Sequence, residues 1–170
     1  MDLRLRDDVT SDDLPLIERW LQTDHVRPSW GDPGENIRQL RNAPGAGRWR
    51  AVIEVDGRKV GLVLWQHPTR QELDVAGLTD IPESVIDIDI MVGEQEAAGR
   101  GVGSATLRLV AENALADAAV PFVIGCARSD NLASQRAFAK AGFRKDREFD
   151  DVPNGPHVLM VRHRRKTQGA

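Results

Sequence analysis

Apolar and polar residues recur along the chain with two different periods, which predict strands and helices in mixed order. Alternation predicts strands at Leu3 to Leu5, Trp49 to Val55, Lys59 to Trp65, Val85 to Val92, Val120 to Cys126, Phe143 to Phe149 and His157 to His163. Helical spacing predicts helices from Thr10 or Ser11 to Leu21, around Asn36 to Arg41, from about Val102 to Ala118, and from near Ser129 to Gly142. Residues 67–84 are polar and contain two prolines, so we expect a loop there.

Two pairs of strands are joined by turn sequences. Asp56-Gly57 separates the second and third predicted strands and is the strongest short-range signal for a hairpin. Pro153-Asn154-Gly155-Pro156 lies between the last two strands and predicts a final hairpin. We find no internal repeat or domain boundary, and therefore expect one domain over residues 1–170 with a solvated basic tail at about 164–170.

Composition narrows the class of protein. The chain has 170 residues, of which 41% are hydrophobic and 29% charged, as in an ordinary globular domain. Its one cysteine, Cys126, excludes an internal disulfide, and neither a secretion signal nor an apolar run of the ~20 residues needed to span a bilayer is found. We therefore expect a cytoplasmic location.

Charge and histidine spacing exclude some partners. The net charge is −3 and the basic residues form no broad stripe, so neither nucleic acid nor a membrane is expected as a partner. The histidines at 25, 67, 157 and 163 show no metal-ligand spacing. We predict that no metal is bound.

A glycine-rich segment, Gly99 to Ser104, lies between an alternating strand and an amphipathic helix. Glycines let the backbone approach a ligand closely, and the free N–H groups at a helix start favour a phosphate. The segment lacks the Gly-Lys-Ser/Thr ending of a P-loop, and the early hairpin argues against a dinucleotide-binding sheet. A simple tight turn is the alternative to a phosphate site.

The strand before this segment carries two carboxylates on one face. Ile86 and Ile88 alternate with Asp87 and Asp89, so the two aspartates lie opposite the apolar face. Adjacent carboxylates can bind and orient an ammonium group, and their repulsion raises the pKa of one of them. The alternative is that both face water on a half-exposed sheet.

The full order of strand, glycine-rich segment, helix, strand and the motif Asn131 to Phe143 resembles the GCN5-related N-acetyltransferase superfamily over nearly the whole chain. The resemblance implies an α/β (α+β) fold: a central mixed, mostly antiparallel sheet, flanked by helices and splayed between strands 4 and 5. It also implies acetyl-coenzyme A as cosubstrate. The positions implied for coenzyme binding are Met91, Val92, Gly99, Arg100, Gly101, Val102, Gly103, Ser104, Asn131, Ser134 and Phe138.

Within the superfamily the chain looks most like the aminoglycoside 6'-N-acetyltransferases. The matching features are Trp20-Leu21, His25-Val26, Trp30-Gly31, Ile88-Asp89 and residues 153–161. This likeness implies direct transfer of an acetyl group to a primary amine of a small, polycationic molecule in a ternary complex, by a monomer or homodimer. Asp89 matches the family's strand carboxylate, and we expect it to be catalytic. The residues expected to bind substrate are Trp30, Asp74, Asp87, Asp89 and Asp151.

Three positions depart from the family patterns. Ala98 replaces a usual Arg or Gln, Phe138 replaces a usual Tyr in a chain that has no tyrosine, and Cys126 stands where a second substrate-site aspartate is expected. Two other functions therefore stay open beside aminoglycoside acetylation. One is N-acylation of a siderophore or another metabolite, and the other is a non-catalytic coenzyme A sensor.

Overall fold

A computed structural model describes residues 1–152 and 154–166. The strands are β1 (Leu3–Asp7), β2 (Arg48–Val55), β3 (Arg58–Gln66), β4 (Ile86–Val92), β5 (Phe122–Arg128), β6 (Arg144–Asp151) and β7 (Gly155–His163). The helices are α1 (Leu14–Leu21), α2 (Arg27–Trp30), α3 (Pro33–Arg41), α4 (Arg70–Val75), α5 (Val102–Leu115) and α6 (Leu132–Lys140). Short 3-10 turns precede α1 and α5.

The strands form one seven-stranded sheet in the order β1-β2-β3-β4-β5-β7-β6. Neighbouring strands are antiparallel except β4 and β5, which are parallel. That parallel pairing covers only Ile86 with Val123 and Asp87 with Ile124. Beyond Asp87 the two strands diverge, which confirms the predicted mixed sheet with a splay between strands 4 and 5.

Helices cover both faces of the sheet. On one face α5 and α6 pack on a core that includes Ile86, Ile88 and Phe138. On the other face α1 and α3 pack on Val52, Leu62 and Met91, and α4 with its following loop packs on Ile124 and Leu159. Because side chains alternate along β4, its isoleucines enter the first core and its aspartates face the opposite side.

The early hairpin forms as predicted. Asp56 has φ 50° and Gly57 has φ 78°, and the two residues join β2 to β3. Positive φ at both central positions is the conformation that a two-residue hairpin turn requires. Of the predicted final hairpin, β6 and β7 pair as expected, and Pro153 in its turn lies outside the described residues.

The sequence analysis missed two short helices. The region predicted to be a loop contains α4, and α2 lies in a region where only a turn was predicted. The start of α4 is a capping box: Thr69 Oγ1 accepts from the Glu72 amide at 3.1 Å, and the Glu72 carboxylate accepts from the Thr69 amide at 3.2 Å. The Thr-x-x-Glu signal was present in the sequence but lay between two prolines.

Part of the basic tail is engaged with the fold and is not simply solvated. The Arg164 guanidinium donates to the carbonyls of Leu115, Asp117 and Val120 at 2.9 to 3.1 Å. These carbonyls follow the end of α5, where helical hydrogen bonding stops. The predicted tail residues 167–170 lie outside the described residues. Over the described ranges, no helix is long and apolar enough to cross a membrane.

Candidate active site

A cleft of about 790 Å³ opens where β4 and β5 diverge. One side is formed by the start of α5 and by α6, and the other by α2, α3 and the aspartate-bearing face of β3 and β4. The predicted site residues that line it are Trp30, Asp89, Met91, Val92, Gly99, Gly101, Gly103, Ser104, Asn131, Ser134 and Phe138. Residues predicted to bind the coenzyme and residues predicted to bind the substrate thus line one cavity, although they are distant in sequence.

The glycine-rich segment forms one end of the cleft. Gly99 and Gly101 have φ 75° and 82°, a left-handed backbone that glycine adopts without strain. Gly101 caps α5, whose first amides have no partner within the helix. Two residues predicted to bind the coenzyme, Arg100 and Val102, do not line the cleft. The Val102 side chain is buried in the core, and the Arg100 side chain is exposed.

Asn131 and Ser134 lie at the start of α6. The Asn131 Oδ1 accepts from the Ser134 amide at 3.1 Å, and its Nδ2 donates to Ser29 Oγ at 3.0 Å. Asn131 therefore caps α6 and links it to α2 across the cleft. The same helix also brings Arg136 and Lys140 into the lining. Sequence analysis overlooked these two cations, although their spacing of one helical turn could have indicated them.

Phe138 is mainly a core residue. It is 2% exposed, its ring packs edge-on against Phe143 with centroids 5.0 Å apart, and it also covers Gly125. A Cβ at Gly125 would lie 2.2 Å from the Phe138 ring, so this glycine is required for the close approach. Phe138 thus supports the wall of the cleft, with no polar atom on its side chain.

Asp89 and Asp87 differ in their access to the cleft. Asp89 is exposed and opens into the cleft, whereas Asp87 is half-buried outside the lining, and its Oδ1 is buried with no hydrogen-bond partner in the described part of the chain. Desolvation by the surrounding protein atoms, followed by the charge of Glu72, raises the pKa of Asp89 to about 6. Burial also raises the pKa of Asp87 well above its usual value, with further contributions from Asp89 and Glu72. Both carboxyl groups therefore hold protons more tightly than exposed aspartates do.

The sequence of this cleft-bearing domain matches one known family. The profile described as "Acetyltransferase (GNAT) domain" matches residues 9–151. The chain belongs to this family of acetyltransferases. No match was found among curated proteins.

Solved structures share the fold of this GNAT acetyltransferase. The structure of AAC(6')-Ib with ribostamycin and coenzyme A has a TM-score of 0.82 at 21% identity, covering 99% of both chains. AAC(6')-Ib with parmomycin and acetyl-coenzyme A gives 0.79 at 22% identity, again over 99% of both chains. A spermidine N-acetyltransferase chimera from Vibrio cholerae and hSSAT gives 0.69 at 13%, over 96% of both. At these identities the likeness establishes the fold.

Two aspartates expected to bind substrate, Asp74 and Asp151, do not line the cleft, although the charge of Asp151 acts on the Cys126 thiol. Asp74 on α4 pairs with Arg70 at 2.9 Å, and Asp151 at the end of β6 accepts from Asn154 Nδ2 at 2.8 Å. Other acidic residues near both positions in the sequence suggested a cation site. In the structure, however, Arg70 engages Asp74 and Asn154 engages Asp151. Glu72, two residues before Asp74, is the α4 residue that affects the β4 aspartates.

Two histidines that the sequence analysis did not select line the cleft. His25 Nε2 donates to the Val92 carbonyl at 3.1 Å, at the end of β4. His157 Nδ1 donates to the Gly155 carbonyl at 2.8 Å. Within residues 1–152 and 154–166, no group of three or more metal-ligating side chains is placed to hold an ion.

Cys126 also lines the cleft, on β5. Burial raises the pKa of its thiol well above the usual value, with further contributions from Asp87 and Asp89. Because the thiolate is the nucleophilic form, these surroundings suppress the reactivity of Cys126. A covalent acyl-cysteine step is therefore disfavoured, and direct transfer between two bound substrates needs no such step.

Proposed function

We propose that this acetyltransferase moves the acetyl group of acetyl-coenzyme A to a primary amine of an aminoglycoside-type molecule, directly and within a ternary complex. One observation carries the proposal: a single cleft connects the free amides at the start of α5 with the Asp89 carboxylate on β4. The aminoglycoside and coenzyme complexes of AAC(6')-Ib, which match this fold over 99% of both chains, support the same substrate pair.

The end of the cleft at α5 fits the coenzyme. A pyrophosphate would accept from the amides of the segment Gly99 to Ser104, where the helix dipole adds positive potential. Arg136 and Lys140 on α6 supply further positive charge along the same wall. Residues 88–92 of β4 lie beyond its pairing with β5, so their backbone edge is open to an extended pantetheine arm near Met91 and Val92. Asn131 and Ser134 would flank that arm.

The β4 carboxylate suits the other substrate. A primary alkylammonium has a pKa of ~10.4 and must lose a proton before its nitrogen can attack a thioester. Asp89 binds the cation and, with a pKa of about 6, is a better proton acceptor than an ordinary aspartate. Trp30 lines the same part of the cleft and offers a flat face to the amine-bearing molecule.

The chemistry can proceed without a phenol. The ammonium first gives one proton to Asp89, directly or through water. The free amine nitrogen then forms a bond to the thioester carbonyl carbon, the C–S bond breaks, and the second nitrogen proton passes to water as the amide forms. The leaving thiol has a pKa of ~8.5, so it departs substantially as thiolate and takes its proton from solvent. Holding both substrates in one cleft supplies the larger part of the rate enhancement. Phe138 in place of tyrosine is therefore compatible with catalysis.

A coenzyme A release assay across a panel of amines tests the proposal. The panel contains aminoglycosides, kasugamycin-like compounds and amine precursors of hydroxamates, each with acetyl-coenzyme A. We expect the highest kcat/KM with an aminoglycoside. Turnover confined to hydroxamate precursors would favour siderophore or metabolite N-acylation instead. Tight coenzyme binding with no release for any amine would favour a sensor.

A further inference from the structure

The amine end of the cleft contains a cation of the protein itself. Arg48, at the start of β2, lines the cleft, and its side chain is 35% exposed. Its guanidinium donates to Gln66 Oε1 at 2.5 Å and forms an ion pair with Glu72. Arginine has five N–H donors, and these two contacts engage two of those of Arg48.

The strand register places Arg48 in line with the β4 carboxylates. Arg48 pairs with Gln66, and Gln66 pairs with Asp87, so the three residues form one row across β2, β3 and β4. With strands spaced ~4.8 Å apart, the backbones of Arg48 and Asp87 are about 10 Å apart. The long Arg48 side chain covers much of that distance along Gln66. It therefore approaches the amine end from the β2 side.

Arg50, the next arginine on the same face of β2, has a different role. Its side chain is 8% exposed, and it donates to Asp8, to the Leu40 carbonyl and to the Asn42 carbonyl at 2.8 to 2.9 Å. These contacts hold β2 to the end of α3 and engage three of the five N–H donors of Arg50. Arg48, by contrast, contacts the side chains of Glu72 and of Gln66, and Gln66 lines the cleft.

The charges at this end are unequal. Glu72, Asp87 and Asp89 bring three carboxylates together, and Arg48 opposes them on the β2 side. A substrate ammonium at Asp89 offsets part of the remaining negative charge. A second ammonium placed on the β2 side would meet the positive charge of the Arg48 guanidinium.

We propose that Arg48 is a specificity-determining residue, which admits one ammonium at Asp89 and rejects a second ammonium on the β2 side. Substrates that fit best carry a hydroxyl or carboxylate there, which the free guanidinium donors bind. This inference rests on the proposed acetylation of an amine held at Asp89. It adds a prediction of where on a polyfunctional amine a second positive charge is disfavoured.

Kinetics with two amines of different charge test the rule. The probes are kanamycin, which carries several ammonium groups, and glucosamine, which carries one ammonium among hydroxyls. We expect Arg48→Met to lower the KM of kanamycin about tenfold, or about 1.4 kcal/mol, and to raise that of glucosamine about threefold. The kcat values should stay within twofold, because Arg48 does not reach the reacting atoms. Arg48→Lys, which keeps the charge, should resemble the wild type with kanamycin.

Two further variants separate charge from structure. Arg38 on α3 pairs with Glu35 away from the cleft, so Arg38→Met is the matched control and should change neither KM. Glu72→Gln removes an acid next to Arg48 and should raise the KM of kanamycin about tenfold. Equal changes of both KM values in Arg48→Met, or a kanamycin KM in Arg48→Lys that matches Arg48→Met, would overturn the proposal.

A failure of the proposed function gives a different result. In that case wild type releases no coenzyme A with any amine. The role of Arg48 is then measured by calorimetric binding of kanamycin in the presence of coenzyme A. A Kd about tenfold lower for Arg48→Met than for wild type would support charge rejection, and equal Kd values would exclude it.

Discussion

The indole ring of Trp20 lies directly on the backbone of Gly93, where a Cβ atom would be 2.2 Å from the ring. The Trp20 Nε1 donates to Glu94 Oε1 at 2.8 Å, and the Gly93 amide donates to the Val60 carbonyl at 2.8 Å. Helix α1 therefore presses on the residue that follows β4. Because Met91 and Val92 immediately precede this contact, α1 sets the position of the strand edge proposed to hold the coenzyme.

Gly93→Ala should push the Trp20 indole away and lower the free energy of unfolding by about 2 kcal/mol, as overpacking of a rigid core does. It should also weaken coenzyme binding, since the end of β4 moves. Urea unfolding and calorimetry measure the two effects. Gly45→Ala is the matched control, because no atom lies within 4 Å of a Cβ built there. Equal stability of Gly93→Ala and Gly45→Ala would contradict the contact.

Gly101→Asp should abolish most of the rise in melting temperature that acetyl-coenzyme A produces by binding the native state. The new carboxylate would repel the pyrophosphate and would also strain a left-handed residue at φ 82°. Gly77→Asp is the control for strain, because Gly77 has φ 75° and lies outside the cleft lining. Should folded Gly101→Asp bind the coenzyme as tightly as Gly77→Asp, the phosphate site is not at the start of α5.

Asp89→Asn should keep the fold and coenzyme binding but reduce acetyl transfer at least ~100-fold, the lower range for a general base. The carboxylate accepts a proton only when ionised, so the wild-type rate should rise with pH through about 6 and then level off. The variant should lack this limb and recover partly at alkaline pH, where free amine is more abundant. Steady-state kinetics from acid to alkaline pH measure both profiles. Wild-type turnover of Asp89→Asn at neutral pH would remove Asp89 from the chemistry.

Asp87→Asn should stabilise the protein at neutral pH while costing less activity than Asp89→Asn. Burial raises the pKa of Asp87, so the folded state disfavours its ionised form and stability falls as the pH rises above the ordinary value near 3.9. Asparagine carries no charge, so its advantage in melting temperature should be present at pH 7 and vanish below about pH 4. Thermal unfolding at both pH values measures this. A variant less stable than wild type at pH 7 would contradict the prediction that the ionised Asp87 carboxylate destabilises the folded protein.

Asp13→Asn should lower the free energy of unfolding by about 3 kcal/mol, because it leaves partly buried cations without their partner. Asp13 is 1% exposed and accepts from Arg6 at 2.6 Å and Lys59 at 2.8 Å. Burial alone would raise the pKa of Asp13, but hydrogen bonds from Arg6, Lys59 and Thr10 hold it well below its usual range. Its stabilisation is therefore complete above about pH 4 and lost as the pH falls.

Urea unfolding from pH 7 to pH 2 measures this dependence. Asp12→Asn is the matched control, since Asp12 is the exposed neighbour in the same turn. The control should follow the wild-type curve, whereas Asp13→Asn should show a weaker decline in acid. An equal slope for Asp13→Asn and wild type would show that Asp13 does not contribute through its charge.

Local patterns in the sequence determined the elements and much of the proposed coenzyme end of the cleft. Asp56-Gly57 specifies its hairpin because few residues adopt two consecutive left-handed conformations. The alternation along β4 places Asp87 and Asp89 on one face because successive side chains of a strand point in opposite directions. The glycines before α5 predict a helix start with accessible amides, because glycine adopts the left-handed backbone found there. Each of these features depends on residues a few positions apart.

The amine end of the cleft was decided only by the tertiary structure. Arg48, Glu72 and Asp89 come from β2, α4 and β4, and they meet because of the strand register and the docking of α4 on β5 and β7. Asp74, one helical turn after Arg70, pairs with that arginine. Glu72 is the α4 acid whose charge acts on the β4 aspartates. Sequence spacing sets which residues share a face of one element, but which faces meet depends on packing between elements. The charges that surround the proposed amine therefore follow from the assembled fold.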